Sequence, residues 1–141
     1  MNHKYILLFL IFVCLCSCED NQSVANKQYY SRYIHNESNS ELKNVVVYKY
    51  DEPNIKSSVG VLIPGATKKR HFQYTPLANK HIIKWNDLDG KLYERHIDLT
   101  GMFPTHYDGG KFHITIKEDF SIYYTFVMGK TVYSPENRTA K

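Results

Sequence analysis

The stretch KFHITIKEDFSIYYTFVM, Lys111 to Met128, decides the fold class. Phe112, Ile114 and Ile116 recur at every second position, with Lys111, His113, Thr115 and Lys117 between them. Beyond Glu118-Asp119 the alternation resumes, and Phe120, Ile122, Tyr124, Phe126 and Met128 share one face. Side chains along a strand point alternately to opposite sides, so this pattern describes two strands with one apolar face each. The short acidic link between them is a tight hairpin connection.

The same grammar extends in both directions. Short alternating runs occur at Lys43–Tyr50 (KNVVVYKY), Ser57–Ile63 (SSVGVLI), Lys69–Tyr74 (KRHFQY), His81–Asn86 (HIIKWN) and Lys91–Leu99 (KLYERHIDL), with an earlier one around Tyr29–His35. Asp87-Leu88-Asp89-Gly90 carries the Asp-Gly signal of a hairpin turn, and Pro64-Gly65 closes the run before it. The 12 Tyr and 7 Phe suit a pleated, half-buried surface. No segment carries a 3.6-residue apolar stripe of helical length. Ile83 and Trp85 alternate with Ile82 and Lys84, which places Trp85 in the core. The expectation is an all-β, antiparallel β-sandwich of seven to eight strands, immunoglobulin-like in organisation, spanning residues 29–133. Residues 134–141 (SPENRTAK) read as a tail.

The N-terminus is built differently. Lys4 precedes an unbroken apolar run from Tyr5 to Cys16, after which small and polar residues take over. That is the layout of a signal peptide, and the run is shorter than the roughly 20 residues a spanning helix needs. Leu15-Cys16-Ser17-Cys18 resembles a bacterial lipobox, with Leu three residues before the modified cysteine and a small Ser directly before it. Cys14 and Cys16 follow Val13 and Leu15, which are too large for that position. The resemblance implies cleavage after Ser17, a diacylglycerol on Cys18 and an acylated new N-terminus. Residues 1–17 are then the signal peptide, and 18–28 the anchor and a polar tether. Ordinary cleavage near Ser17 is the alternative. Three Asn-x-Ser/Thr triplets, at Asn21, Asn36 and Asn137, would suit a secreted glycoprotein.

Cysteine usage favours the lipobox. After cleavage one cysteine remains, and its sulfur is committed to lipid, which leaves neither a disulfide nor a thiolate metal site. The chain beyond Cys18 suffices for one domain with a real core. Its formal net charge is modest, +4 for the whole chain, and the charges are scattered except at Lys68-Lys69-Arg70-His71. That cluster reads as a solvated turn, and an envelope location argues against nucleic acid.

Chemistry is sparse. Asn86-Asp87-Leu88-Asp89-Gly90 resembles a calcium loop until Gly90 is aligned, which puts Trp85 and His96 at ligand positions. His106, Asp108 and His113 lie close in sequence, yet Gly109-Gly110 separates them and no metal is expected. Glu94, His96 and Asp98 share one strand face and read as an exposed charge set, with a general base as the rival reading. The loop 99–110 (LTGMFPTHYDGG) is the longest irregular stretch, and loops of a sandwich commonly make its contacts. Met102, Phe103, His106 and Tyr107 on it, and Tyr123 on the last strand, are the partner-binding candidates. Phe103 would instead plug the sandwich if it turned inward.

These readings converge on a non-enzymatic lipoprotein of the bacterial cell envelope, held to a membrane through Cys18, its domain facing the periplasm or exterior. Its organisation is similar to that of small bacterial lipoproteins that act as immunity proteins or assembly factors. The expected partner is another protein, and no cofactor is expected. A glycan-binding lipoprotein, marked by coplanar aromatics on an open face, is one alternative. A hydrolase built on the His and carboxylate set is another.

Overall fold

A computed structural model of the chain describes residues 28–137 apart from Tyr74, so Cys18 and the signal peptide lie outside the described residues. The hairpin expected at 111–128 forms β7 (Lys111–Ile116) and β8 (Ile122–Met128). Ile116 faces Ile122 and Lys111 faces Val127 across an antiparallel ladder. The turn closes with the Phe120 amide donating to the Lys117 carbonyl at 3.0 Å, and the Asp119 carboxylate accepting from the Ser121 amide at 2.9 Å. Phe120 adopts φ 58°, a left-handed conformation costly for a bulky residue. Its ring packs 4.7 Å from Tyr93, and Arg95 donates to its carbonyl at 3.1 Å, which holds that conformation.

Six earlier strands precede the hairpin: β1 (Tyr30–Asn36), β2 (Leu42–Lys49), β3 (Lys56–Leu62), β4 (Thr67–Gln73), β5 (Lys80–Asn86) and β6 (Leu92–Asp98). A short β9 (Thr131–Tyr133) follows β8, and a 3-10 turn occupies Pro135–Asn137. One sheet runs β4-β1-β7-β8-β9 and the other β3-β2-β5-β6, stacked as a sandwich rather than closed into a barrel. The all-β sandwich is therefore the observed architecture, with nine strands because β9 folds back onto β8 through Gly129. One pair departs from the antiparallel rule: β1 runs parallel to β7, Ser31 facing Lys111 and Asn36 facing Ile116. The whole second sheet lies between them in sequence, which supplies the long connection that a parallel pair requires. Ser134, expected in a tail, is buried, so the folded unit extends past Tyr133.

Period two explains the core. Phe112, Ile114 and Ile116 of β7, Ile83 and Trp85 of β5, and Leu42, Val45 and Val47 of β2 are all fully buried. Burial of such side chains stabilises by roughly 1.5–3 kcal/mol each. Phe120, Ile122, Tyr124 and Met128 pack against this cluster from β8 and its turn. The Asp87–Gly90 segment is a hairpin turn: the Asp87 carboxylate accepts from the Lys91 amide at 2.9 Å, and Gly90 sits at φ 82°. Asn36 belongs to the core as well. Its side-chain amide donates to the Leu62 and Ser40 carbonyls at 2.8 Å, so this triplet presents no free acceptor for a glycan.

Candidate functional site

The loop 99–110 joins β6 of one sheet to β7 of the other, so it passes over an end of the core that would otherwise be open. The physical outcome is a plug. Met102 is 5% exposed and Tyr107 8% exposed, and the Phe103 ring lies 4.7 Å from that of Phe126. The Tyr107 hydroxyl accepts from the buried Leu77 amide at 2.7 Å. Met102, Phe103 and Tyr107, expected as displayed contacts, are thus turned inward, and only His106 among the loop candidates is exposed. Tyr123 stays 38% exposed, with the Lys117 ammonium 5.8 Å above its ring.

The polar sets fare differently. Glu94 accepts from Lys84 at 2.6 Å and lies 3.1 Å from His96, a solvent-facing cross-strand arrangement. The Asp98 carboxylate accepts from the Thr100 amide at 2.9 Å. Among the described residues, no group of three or more His, Cys, Asp or Glu is placed to hold a metal. His113 meets His35 rather than His106, with ring nitrogens 3.1 Å apart. Burial first, then each other's proximity in the case of His113, holds both below the ordinary imidazole range. Tyr33 stacks on His113 at 4.7 Å with planes 9° apart, and Lys69 sits 5.4 Å over Tyr33. Tyr33 and His113 thus stack on each other, and Lys69 covers Tyr33.

A different place gathers chemistry. β3 and β4 are each an edge strand, one from each sheet. The run Lys68-Lys69-Arg70-His71 lies on β4, not in a turn, and strand geometry splits its charges between two faces. Arg70 is the register partner of Arg32 on β1, and Lys68 that of the core residue Ile34. Arg32, alternating with Tyr30 and Ile34, points inward and is 5% exposed. Both guanidiniums donate to one acceptor, the Oγ of Ser57 on β3. A hydroxyl oxygen has two lone pairs, so these two donors saturate it.

The charge is not balanced. Among the described residues, ion pairs join Lys49 to Glu52, Lys84 and His96 to Glu94, and Lys117 to Glu37; neither arginine has one. Burial pushes the Arg32 guanidinium below its usual range; Tyr30 opposes this, and the charge of Arg70 adds to it more weakly than Tyr30 opposes it. On one side of the Arg32–Ser57–Arg70 bridge lies a cavity of about 360 Å³ lined also by Lys68, Ser58 and Val59. On the other lies a hollow of about 240 Å³ lined by Tyr30, Lys49, Glu52 and His81. His81 is 1% exposed, and neither of its ring nitrogens has a hydrogen-bond partner among the described residues. Burial, then Arg32 and Lys49, lowers its pKa to about 3, so the ring is neutral.

No protein-family model and no curated protein matches the sequence. A solved structure of a protein from Eubacterium rectale, determined by NMR, superposes with a TM-score of 0.46 at 14% identity. The alignment covers 77% of this chain and 97% of that one.

The cleft was legible in part. In Tyr30-Ser31-Arg32-Tyr33-Ile34, period two alone puts a cation on the same face as Tyr30 and Ile34, and His81 alternates with Ile83 and Trp85 in the same way. A cation or imidazole at a core position is the signal. Its convergence with Arg70 and Ser57 depends on which edges of the two sheets face each other, and that is a tertiary fact.

Proposed function

We propose that this chain is a membrane-anchored, extracytoplasmic lipoprotein whose sandwich is a non-enzymatic binding module. The β3/β4 cleft receives an anionic region of another protein. The lipobox at Leu15–Cys18 supports the anchor, and one observation supports the cleft: Arg32 is buried beside Arg70 with a neutral hydroxyl between them and no ion pair to a carboxylate among the described residues. An anionic group of a partner would supply the counter-charge, and charge complementarity of this kind gives specificity and rapid association. The glycan-binding alternative has less support, because the Tyr33 and His113 faces are turned on each other and Lys69 covers Tyr33.

The test is a crosslinking pull-down of the tagged full chain from intact membranes, beside a Lys68→Glu, Arg70→Glu variant and a Cys18→Ala variant. The expected result is one stoichiometric protein partner, retained at low salt and lost on charge reversal. Labelled palmitate enters the wild type and not Cys18→Ala. A partner captured equally by the charge-reversed chain refutes the cleft, and equal palmitate labelling of both chains refutes the anchor.

A further inference from the structure

We propose that the centre of the cleft is an oxyanion pocket for a phosphate-type group, held by Arg32 and Arg70 in the place where they now share Ser57. The inference rests on the cleft reading above and names the chemistry at its core. Three features favour a tetrahedral, multiply charged oxyanion over a single carboxylate.

The first is convergence. Two guanidinium forks aimed at one oxygen already outline an acceptor position, and Arg forks match phosphate oxygens two at a time. A neutral hydroxyl fills that position geometrically while offsetting none of the charge. Ser57 would keep a role, because its hydroxyl can rotate from acceptor to donor once an anion arrives.

The second is excess. Lys68 lines the same cavity, as do Ser58 and its hydroxyl, and no carboxylate does. With Lys69 at its rim, four basic side chains line the cavity, and a dianion offsets twice as much of that charge as a carboxylate does. At about 360 Å³ the cavity is within the range of small-molecule sites.

The third is preorganisation. Arg32 sits on a central strand, hydrogen-bonded on both flanks to β4 and β7, so its fork is fixed before any ligand binds. The neutral His81 lines the adjoining hollow with both ring nitrogens unpartnered among the described residues, and one N–H can serve an oxygen there without adding charge.

The probe is inorganic phosphate, titrated into the full chain purified in a zwitterion-free detergent and chloride buffer. Amide and Arg Nε–H chemical shifts are followed by NMR, and heat by calorimetry. Sulfate, acetate and glycerol 3-phosphate are titrated in parallel, with Arg70→Gln as the variant, since Arg70 is exposed and its loss leaves the core intact. The expected result is saturable 1:1 binding of phosphate and sulfate, with shifts centred on Arg32, Ser57 and Ser58. Acetate binds at least about tenfold more weakly, and Arg70→Gln weakens phosphate about tenfold or more, as loss of a charge-assisted pair requires. Tighter binding of inorganic phosphate supports the pocket with a free ion as ligand. Tighter binding of glycerol 3-phosphate supports it with an esterified group, such as a lipid headgroup. Non-saturating shifts, equal affinity for acetate, or an unchanged Arg70→Gln titration overturns the proposal. Phosphate binding fails independently of the protein partner: an Arg70-dependent pull-down without phosphate affinity removes the pocket and leaves the binding module. Phosphate affinity without a partner does the reverse.

Discussion

His81 offers a quantitative handle on the cleft. It faces Arg32 from β1, Lys49 from β2 and the Phe112 ring from β7 at 5.4 Å, with neither ring nitrogen hydrogen-bonded among the described residues. Burial is the larger cause of its lowered pKa, about 3 against an ordinary 6.5, and the two cations add to it. In the unfolded chain the ring regains its ordinary value. Below pH 6.5 the unfolded state therefore binds a proton that the folded state refuses until about pH 3. The contribution is fully present above that upper value and is lost as pH falls through the window, at about 1.4 kcal/mol per pH unit. Between pH 7.5 and pH 5 the loss is about 2 kcal/mol. His35 and His113 are lowered too and act in the same direction, so the wild-type slope alone does not isolate His81. The comparison with His81→Leu does. Denaturant unfolding of both full chains at pH 7.5, 6 and 5 should show the variant gaining about 2 kcal/mol relative to wild type across that range. Parallel stability curves would refute the reasoning, because they require His81 to titrate alike in both states.

Other perturbations follow from the same packing and charges. Arg32→Met should stabilise the fold by about 1–2 kcal/mol in denaturant unfolding while abolishing phosphate binding. Removing a buried cation that lacks a carboxylate partner among the described residues is favourable on that scale, even after losing a bond to Ser57 worth about 1–1.5 kcal/mol; a destabilised variant contradicts this. Gly110→Ala should cost about 2–3 kcal/mol, since a Cβ there would lie 2.2 Å from the Phe126 ring. Gly101→Ala, where nothing lies within 4 Å of a Cβ, should cost only the left-handed strain of about 1–2 kcal/mol. Tyr107→Phe should cost about 1–3 kcal/mol by stranding the buried Leu77 amide, and retained stability would mean that amide is otherwise satisfied.

What could be read in advance follows the range of each interaction. The 111–128 hairpin was legible because alternation and a short acidic turn are local, and the same holds for Ile83, Trp85 and the Asp87–Gly90 turn. The parallel pairing of β1 with β7 was not, since no local signal states which distant strand a terminal strand joins. The loop 99–110 misled for a physical reason: Met, Phe and Tyr suit an interface and a core plug equally. The choice depends on whether the sandwich end beneath is open. It is, and Met102 and Tyr107 fill it. The basic run at 68–71 carries two local readings, a charged turn and, from Lys69 onward, an alternating strand, and the structure takes the second. Cys18 rests on its local motif and lies outside the described residues.

The two sheet margins show why Arg32 asks for a ligand. Arg95 is also partly buried, yet its surroundings account for it: it lies 5.9 Å from the Trp85 ring and 5.8 Å from that of Tyr93, and donates to the Phe120 carbonyl that closes the hairpin. Replacing Arg95 would cost the fold. Replacing Arg32 with an apolar residue should favour it, because a buried cation facing a second cation across a hydroxyl opposes folding. Strand pairing, core packing and hydrogen bonding explain the rest of β1, from Tyr30 and Ile34 in the core to Asn36 capping the next turn. They do not explain a guanidinium at that position. A residue that the fold would be more stable without is explained by what it holds, and at Arg32 the chemistry of what is missing is negative, oxygen-rich and shared with Arg70.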